Sequence, residues 1–178
     1  MIRVATDRLV LTAGTELLAE AELADRSRFS SLLGAVVPPS WPPESLQDVL
    51  PTFLANCRAR QNCGRWTLPW YAVLERPEGS VLCGSIGFKG SPRAMSVELG
   101  YSVLPEFQAR GIATEMVRGV SEWALAEAGV TTVEAEVFAG NAASARVLVK
   151  AGFEPCGPGV EPGATRYRRQ RTDRVIWA

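Results

Sequence analysis

The chain contains no histidine among its 178 residues. That absence removes any Ser-His-Asp or Cys-His mechanism, because both pass the nucleophile's proton to an imidazole. The four cysteines, Cys57, Cys63, Cys83 and Cys156, form no CxxC pair. A zinc site would have to gather them from scattered places, so no metal is expected and free thiols in a reducing cytoplasm are the plainer reading. Lysine is scarce: of 19 basic residues, all but Lys89 and Lys150 are arginines. Acidic residues also number 19, so there is no basic excess to hold nucleic acid. No segment approaches the roughly 18 apolar residues of a transmembrane helix, and "MIRVATDRLVLT" lacks the apolar run of a secretory signal. A cytoplasmic protein with neither membrane nor nucleic-acid partner is expected. Its chemistry must use carboxylates, hydroxyls, thiols, backbone groups or a cofactor.

Hydrophobic residues make up 47% of the chain, which suits one globular domain spanning residues 1–178. "RLVLT" (Arg8–Thr12) alternates like a first strand, and the apolar spacing from Thr15 to about Leu33 predicts one helix. "GAVVPPSWPPES" is a proline-rich loop leading to Ser45, a candidate cap for a helix over Leu46–Arg60 that Pro51 kinks or restarts. Three strands over Trp70–Glu75, Val81–Gly90 and Met95–Leu104 are joined by short turns, which predicts an antiparallel meander. A helix from about Gly111 to Ala128 carries Ile112, Met116, Val120, Trp123 and Ala124 on one stripe. Val130–Phe138 alternates as a strand. "NAASARVLVKAGF" reads as a short helix with Asn141 as N-cap and Gly152 beyond its end. "TRYRRQR" and "VIW" close the chain as late strands. The arginine run there, Arg166, Arg168, Arg169, Arg171 and Arg174, reads as the exposed face of a strand, with attraction of an acidic protein or RNA as the other reading. The fold class is therefore α/β, or α+β: a mixed, mostly antiparallel sheet flanked by helices.

"QARGIA", Gln108–Ala113, lies where an apolar strand meets an amphipathic helix. A helix start leaves about four N–H groups without partners and carries roughly half a positive charge. A glycine in the turn lets a ligand reach the backbone, so the place suits a pyrophosphate; a plain strand-to-helix turn is the other reading. A dinucleotide fingerprint would need glycines where Ala113 and Met116 stand, and a P-loop would need GK[ST] where Gly111 is followed by Ile112–Ala113–Thr114. Both are excluded.

The same residues resemble the Q/R-x-x-G-x-G/A acetyl-CoA signature of the GNAT N-acetyltransferase superfamily. "ELGYSVLPEFQARGIATE" followed by "NAASARVLVKAGFEPCG" is similar to the branch that includes bacterial ribosomal-protein N-terminal acetyltransferases, and the likeness runs from about Thr6 to Tyr167. The resemblance implies a GNAT-like acyl-CoA N-acyltransferase fold whose strands Glu98–Leu104 and Val130–Phe138 splay apart. The pantetheine arm of acetyl-CoA would lie in that wedge against the backbone of Tyr101, Ser102 and Val103. Its pyrophosphate would sit on the amides of Gln108, Ala109, Arg110, Gly111, Ile112, Ala113 and Thr114.

Acetyl transfer to an amine needs a base, because a free alkylamine is charged at neutral pH with a pKa of about 10. It also needs an oxyanion donor, for which the resemblance implies a backbone N–H near Val103. Glu98 is the candidate base, on the strand face opposite Val97, Leu99, Tyr101 and Val103; a solvated glutamate is the other reading. Ser144 is the residue that the branch tends to place near the CoA sulfur, although position N3 of a capped helix explains it equally. Asn141 is explained by capping, and in the family it also borders the cofactor. Many members carry a tyrosine where this chain has Leu148, which leaves the general acid unassigned. Trp41, in its proline-stiffened loop, is the candidate wall of the acceptor pocket, with packing over a core edge as the alternative. The expected function is acetyl transfer to a protein N-terminus or a small-molecule amine, by a monomer or homodimer. A non-catalytic acyl-CoA-binding module of the same fold is the alternative.

Overall fold

The computed structural model describes residues 1–47, 49–59 and 64–172. Among these residues, eight strands form one sheet in the order β1-β2-β3-β4-β5-β6-β8-β7. They are β1 (Arg3–Ala5), β2 (Leu9–Ala13), β3 (Trp70–Leu74), β4 (Val81–Phe88), β5 (Ser96–Val103), β6 (Thr132–Phe138), β7 (Glu154–Pro158) and β8 (Ala164–Gln170). Every neighbouring pair is antiparallel except β5 and β6, which run parallel. Six α-helices accompany them among the described residues: α1 (Glu16–Ala24), α2 (Arg26–Leu33), α3 (Glu44–Gln47), α4 (Leu50–Ala59), α5 (Ile112–Ala126) and α6 (Ala142–Lys150). No described helix is long and apolar enough to cross a membrane.

The expected meander is β3-β4-β5. The helix expected over residues 15–33 is instead two, because Asp25 leaves helical geometry at φ −152° and caps both. Its backbone N–H closes α1 on Ala21 O, and its carboxylate accepts from the N–H of Arg28 at 3.0 Å. Pro51 restarts a helix as foreseen, within the first turn of α4, whereas Ser45 lies inside α3 and not ahead of it. Arg60, Arg174 and "VIW" lie outside the described residues.

The core occupies both faces of the sheet, and adjacent residues of β3 divide it. Trp70 packs on Trp123 of α5 with ring centroids 4.6 Å apart, and Trp66 and Phe88 join that cluster. Tyr71 points the other way, toward Phe29 at 5.1 Å and Trp41 at 6.1 Å. Both β3 aromatics are fully buried, and each stabilises the fold by roughly 2–3 kcal/mol. Helix α5 lies close on β1 and β2 because Gly119 has no side chain: a Cβ there would stand 2.8 Å from Thr6 Cγ2 and 3.0 Å from Leu11 Cδ1. The expectation of four free thiols is corrected at Cys57, which is disulfide-bonded. Cys83 and Cys156 are free, and Cys63 lies outside the described residues.

Candidate active site

Strands β5 and β6 pair over three positions only, Ser96↔Thr132, Val97↔Val133 and Glu98↔Glu134. Beyond Glu98 they part. The N–H of Leu104 donates to Cys83 O, and Glu98 O accepts from the N–H of Lys89, both toward β4. Backbone direction alternates along a strand, so Tyr101 and Val103 turn their N–H groups toward the opening. A cleft of about 630 Å³ begins there, bounded by β5, the start of α5 and one face of α6.

The "QARGIA" loop forms the far end of this cleft. Gln108 is fastened by its own side chain, whose Nε2 donates to Val103 O at 2.9 Å. Ala109 at φ 59° and Gly111 at φ 77° are both left-handed, a pairing that turns successive amides to one side. Gly111 caps α5 without a side-chain bond. Among the described residues, the N–H groups of Ile112, Ala113 and Thr114 meet no protein acceptor; the first intrahelical bond is Glu115 N–H to Gly111 O. Glu115 braces the loop from behind. Its carboxylate accepts from Thr6 Oγ1 at 2.6 Å, Arg8 N at 2.7 Å and Arg8 Nε at 2.8 Å, while Arg8 Nη1 donates to Arg110 O. Burial opposes its ionisation, but those hydrogen bonds and the Arg8 charge prevail and hold the carboxyl below its ordinary value.

Tyr101, Ser102, Val103, Gln108, Ala109, Gly111, Ile112, Ala113, Thr114, Asn141 and Ser144 are brought together along the cleft, whereas Arg110 is not in its lining and turns its carbonyl to Arg8. Asn141 Oδ1 accepts from Ser144 N at 3.0 Å, the expected cap. Two groups that the sequence reading passed over also reach the cleft. Arg146 and Lys150, four residues apart on α6, add positive charge to a lining that holds no carboxylate. Spacing of i and i+4 behind a capped start was the available signal. The phenol of Tyr101 crosses the opening, with Oη 2.8 Å from Ser144 Oγ and 3.2 Å from Ser144 O. Leu148 is fully buried in the core.

Glu98 does not line this cleft. It stands where the strands part, on the other sheet face, ion-paired with Lys89 and in register with Glu134. Glu136 follows on the same face, bound to Arg166 at 3.1 Å. Trp41 is not at the cleft either. It is 4% exposed and packs inward, where its indole N–H donates to Glu22 Oε1 at 2.8 Å. The reading of Trp41 as a direct wall is thereby corrected: the buried carboxylate draws the ring into the core. Its loop still approaches the site, since Ser40 Oγ donates to Glu106 Oε1 at 2.5 Å, just ahead of "QARGIA". Among the described residues, no group of His, Cys, Asp and Glu side chains is arranged to hold a metal ion.

Residues 8–154 match the family model described as "Acetyltransferase (GNAT) domain". The chain is 30% identical over 161 residues to the Bacillus subtilis (strain 168) protein described as "Uncharacterized N-acetyltransferase YoaA", covering 85% of this chain and 82% of that one. Its fold is similar to the ribosomal-protein-S5-alanine acetyltransferase from Vibrio fischeri, with a TM-score of 0.60 at 17% identity over 97% of this chain and 98% of that one. It is also similar to the microcin C7 self-immunity acetyltransferase MccE, solved in complex with acetyl-CoA and AMP, with a TM-score of 0.59 at 12% identity over 93% and 94%.

Proposed function

This chain belongs to the GNAT acetyltransferase family, and from that premise we propose that it transfers an acetyl group from acetyl-CoA to a primary amine, either a protein N-terminus or a small-molecule amine. The observation that carries the reading is the parting of β5 and β6 directly before a helix start with three unpartnered amides. The fit to the co-substrate is good in shape and charge. The cleft of about 630 Å³ is carboxylate-free, and Arg146 and Lys150 line it together with the loop, as a pyrophosphate requires. Bound there, acetyl-CoA would supply an activated acyl carbon and a thiolate leaving group.

The chain's own groups then have separate tasks. The Gln108 amide is taken by Pro105 O, so the amides of Ala109 to Thr114 hold the anion, and the outward N–H groups of Tyr101 and Val103 hold the pantetheine and polarise the acyl oxygen. Asn141 fixes the turn that presents Ser144, whose hydroxyl donates to the departing sulfur. Glu98, on the opposite face, takes the amine's proton directly or through water. Glu134 stands beside Glu98 in register, while Glu136 on the same face is already paired with Arg166. Trp41 supports this side from beneath, by anchoring the loop that carries Ser40.

Two measurements test the proposal. Acetyl-CoA at 100 times its Kd should stabilise the fold by about 2.7 kcal/mol, read as a rise in Tm; no rise would sink the acetyl-CoA reading. Thiol release across an amine and peptide panel should then be fast for one acceptor class. Glu98→Gln should keep acetyl-CoA affinity and lose about 10²-fold in kcat. Leu148, buried where a tyrosine donor is common, favours a second reading as a non-catalytic acyl-CoA-binding module. Binding without release for any acceptor would select it.

A further inference from the structure

A serine hydroxyl is a poor proton source by itself, because releasing its proton leaves an alkoxide. Ser144 therefore needs a donor behind it if it serves the leaving group. Leu148 cannot provide one. Among the described residues, the phenol that lines the cleft is Tyr101, whose Oη lies 2.8 Å from Ser144 Oγ. These two hydroxyls belong to opposite walls, β5 and α6, and meet across the space between them.

We propose that Tyr101 is the proton source of the transfer reaction, acting through Ser144. The inference rests on the reading of the cleft as the acetyl-CoA site. Ser144 gives its hydroxyl proton to the sulfur as the carbon–sulfur bond breaks and its electron pair goes to sulfur. Ser144 Oγ takes the Tyr101 proton in the same movement, so it ends as a hydroxyl and Tyr101 as a phenolate. Water returns the proton to Tyr101 before the next cycle, while the proton lost by the amine leaves through Glu98. Phenol and thiol acidities of about 10 and 8.5 set this transfer uphill by about 30-fold, and burial of Tyr101 adds to that, so the proton moves only together with cleavage of the carbon–sulfur bond. Ser144 occupies the first turn of α6, where the helix dipole favours the negative charge that develops on the pair. Burial keeps Tyr101 protonated at neutral pH against the smaller opposing pull of its bond to Ser144.

Tyr101 acts through another residue, so it is a positioning and relay group, and its test must exceed a loss of rate. CoA binding to the whole chain is measured first by calorimetry, for wild type, Tyr101→Phe, Ser144→Ala and the double variant. The thiol of bound CoA is then titrated by the ultraviolet absorbance of its thiolate. Removal of either hydroxyl should raise that thiol pKa by about 0.5–1 unit, and the double variant should show no further rise. In turnover, Tyr101→Phe should lower kcat about 10–100-fold with KM unchanged, and an acetyl thioester of a more acidic thiol should restore it. Fluorotyrosine at position 101 keeps the hydroxyl in place while lowering its pKa, and should shift the alkaline limb of the pH–rate profile downward. An unchanged thiol pKa and kcat in Tyr101→Phe would overturn the relay while leaving the acetyl-CoA reading intact. Should Tyr101→Phe not fold, an unmoved alkaline limb in the fluorotyrosine protein would overturn it instead. Failure of the wild type to bind CoA would remove both.

Discussion

Glu22 joins three parts of the chain that are distant in sequence. It stands on α1, accepts from the indole of Trp41 in the following loop, and accepts from Tyr71 Oη of β3 at 2.6 Å. Burial raises its pKa from 4.5 to about 7, although the bonds from Tyr71 and Trp41 favour the charged form. A carboxyl whose folded pKa is raised contributes most below its unfolded pKa, and that contribution is lost as pH climbs through the folded one. Stability attributable to Glu22 should therefore fall between about pH 4.5 and 7, by up to about 3 kcal/mol. Glu22→Gln can accept from Trp41 with its oxygen and donate to Tyr71 with its amide. Urea denaturation at pH 5.5 and pH 8 should show a smaller difference for this variant than for wild type; equal differences would sink the assignment. At Gly111 the constraint is conformational, since an added Cβ would meet nothing closer than Arg8 Nη2 at 3.5 Å while φ is 77°. Gly111→Val should abolish acetyl-CoA binding by calorimetry, because a β-branched residue abandons that backbone geometry. Both Gly111 and Asn141 are legible in the sequence, as each acts within a few residues of itself. The partnerships of Glu22 with Trp41 and of Tyr101 with Ser144 are not, because no one-dimensional spacing brings such residues together.

Elements succeeded or failed in the sequence according to how far their signals were local. Helix α5 shows a continuous apolar stripe, and α6 carries its own cap and stop. By contrast, β1 has three residues and no room for a period. β7, "EPCGP", contains two prolines and a glycine, which only an edge strand tolerates. The break between α1 and α2 was hidden because Asp25 interrupts an apolar spacing that reads through it. Two helix variants test this level. Gly119→Ala gains about 1 kcal/mol of helix propensity, yet it should lower the urea midpoint. Its methyl would press on Thr6, which Glu115 holds in place. Asn141→Ala should lose about 1 kcal/mol, measured the same way, and should also weaken acetyl-CoA binding as the turn holding Ser144 loosens.

At the scale of the molecule, the β3-β4-β5 meander and the β-α alternation after it followed from the sequence, the family resemblance supplied the wedge, and the full sheet order came only with the structure. Which groups face which side of that wedge required the three-dimensional register. Glu98 and Ser144 prove to stand on opposite faces, with the opening between them. That separation suits a reaction in which amine and thioester arrive from different directions, and it explains why neither residue's surroundings could be read from its neighbours in the chain.

The three-pair join between β5 and β6 has a consequence for exchange with solvent deuterium. The amides of Tyr101 and Val103 face a gap where a partner strand would normally protect them. In the free protein they should exchange far faster than those of Ser102 and Leu104, one residue away on the same strand. Acetyl-CoA should erase that alternation by becoming, in effect, the missing stretch of strand.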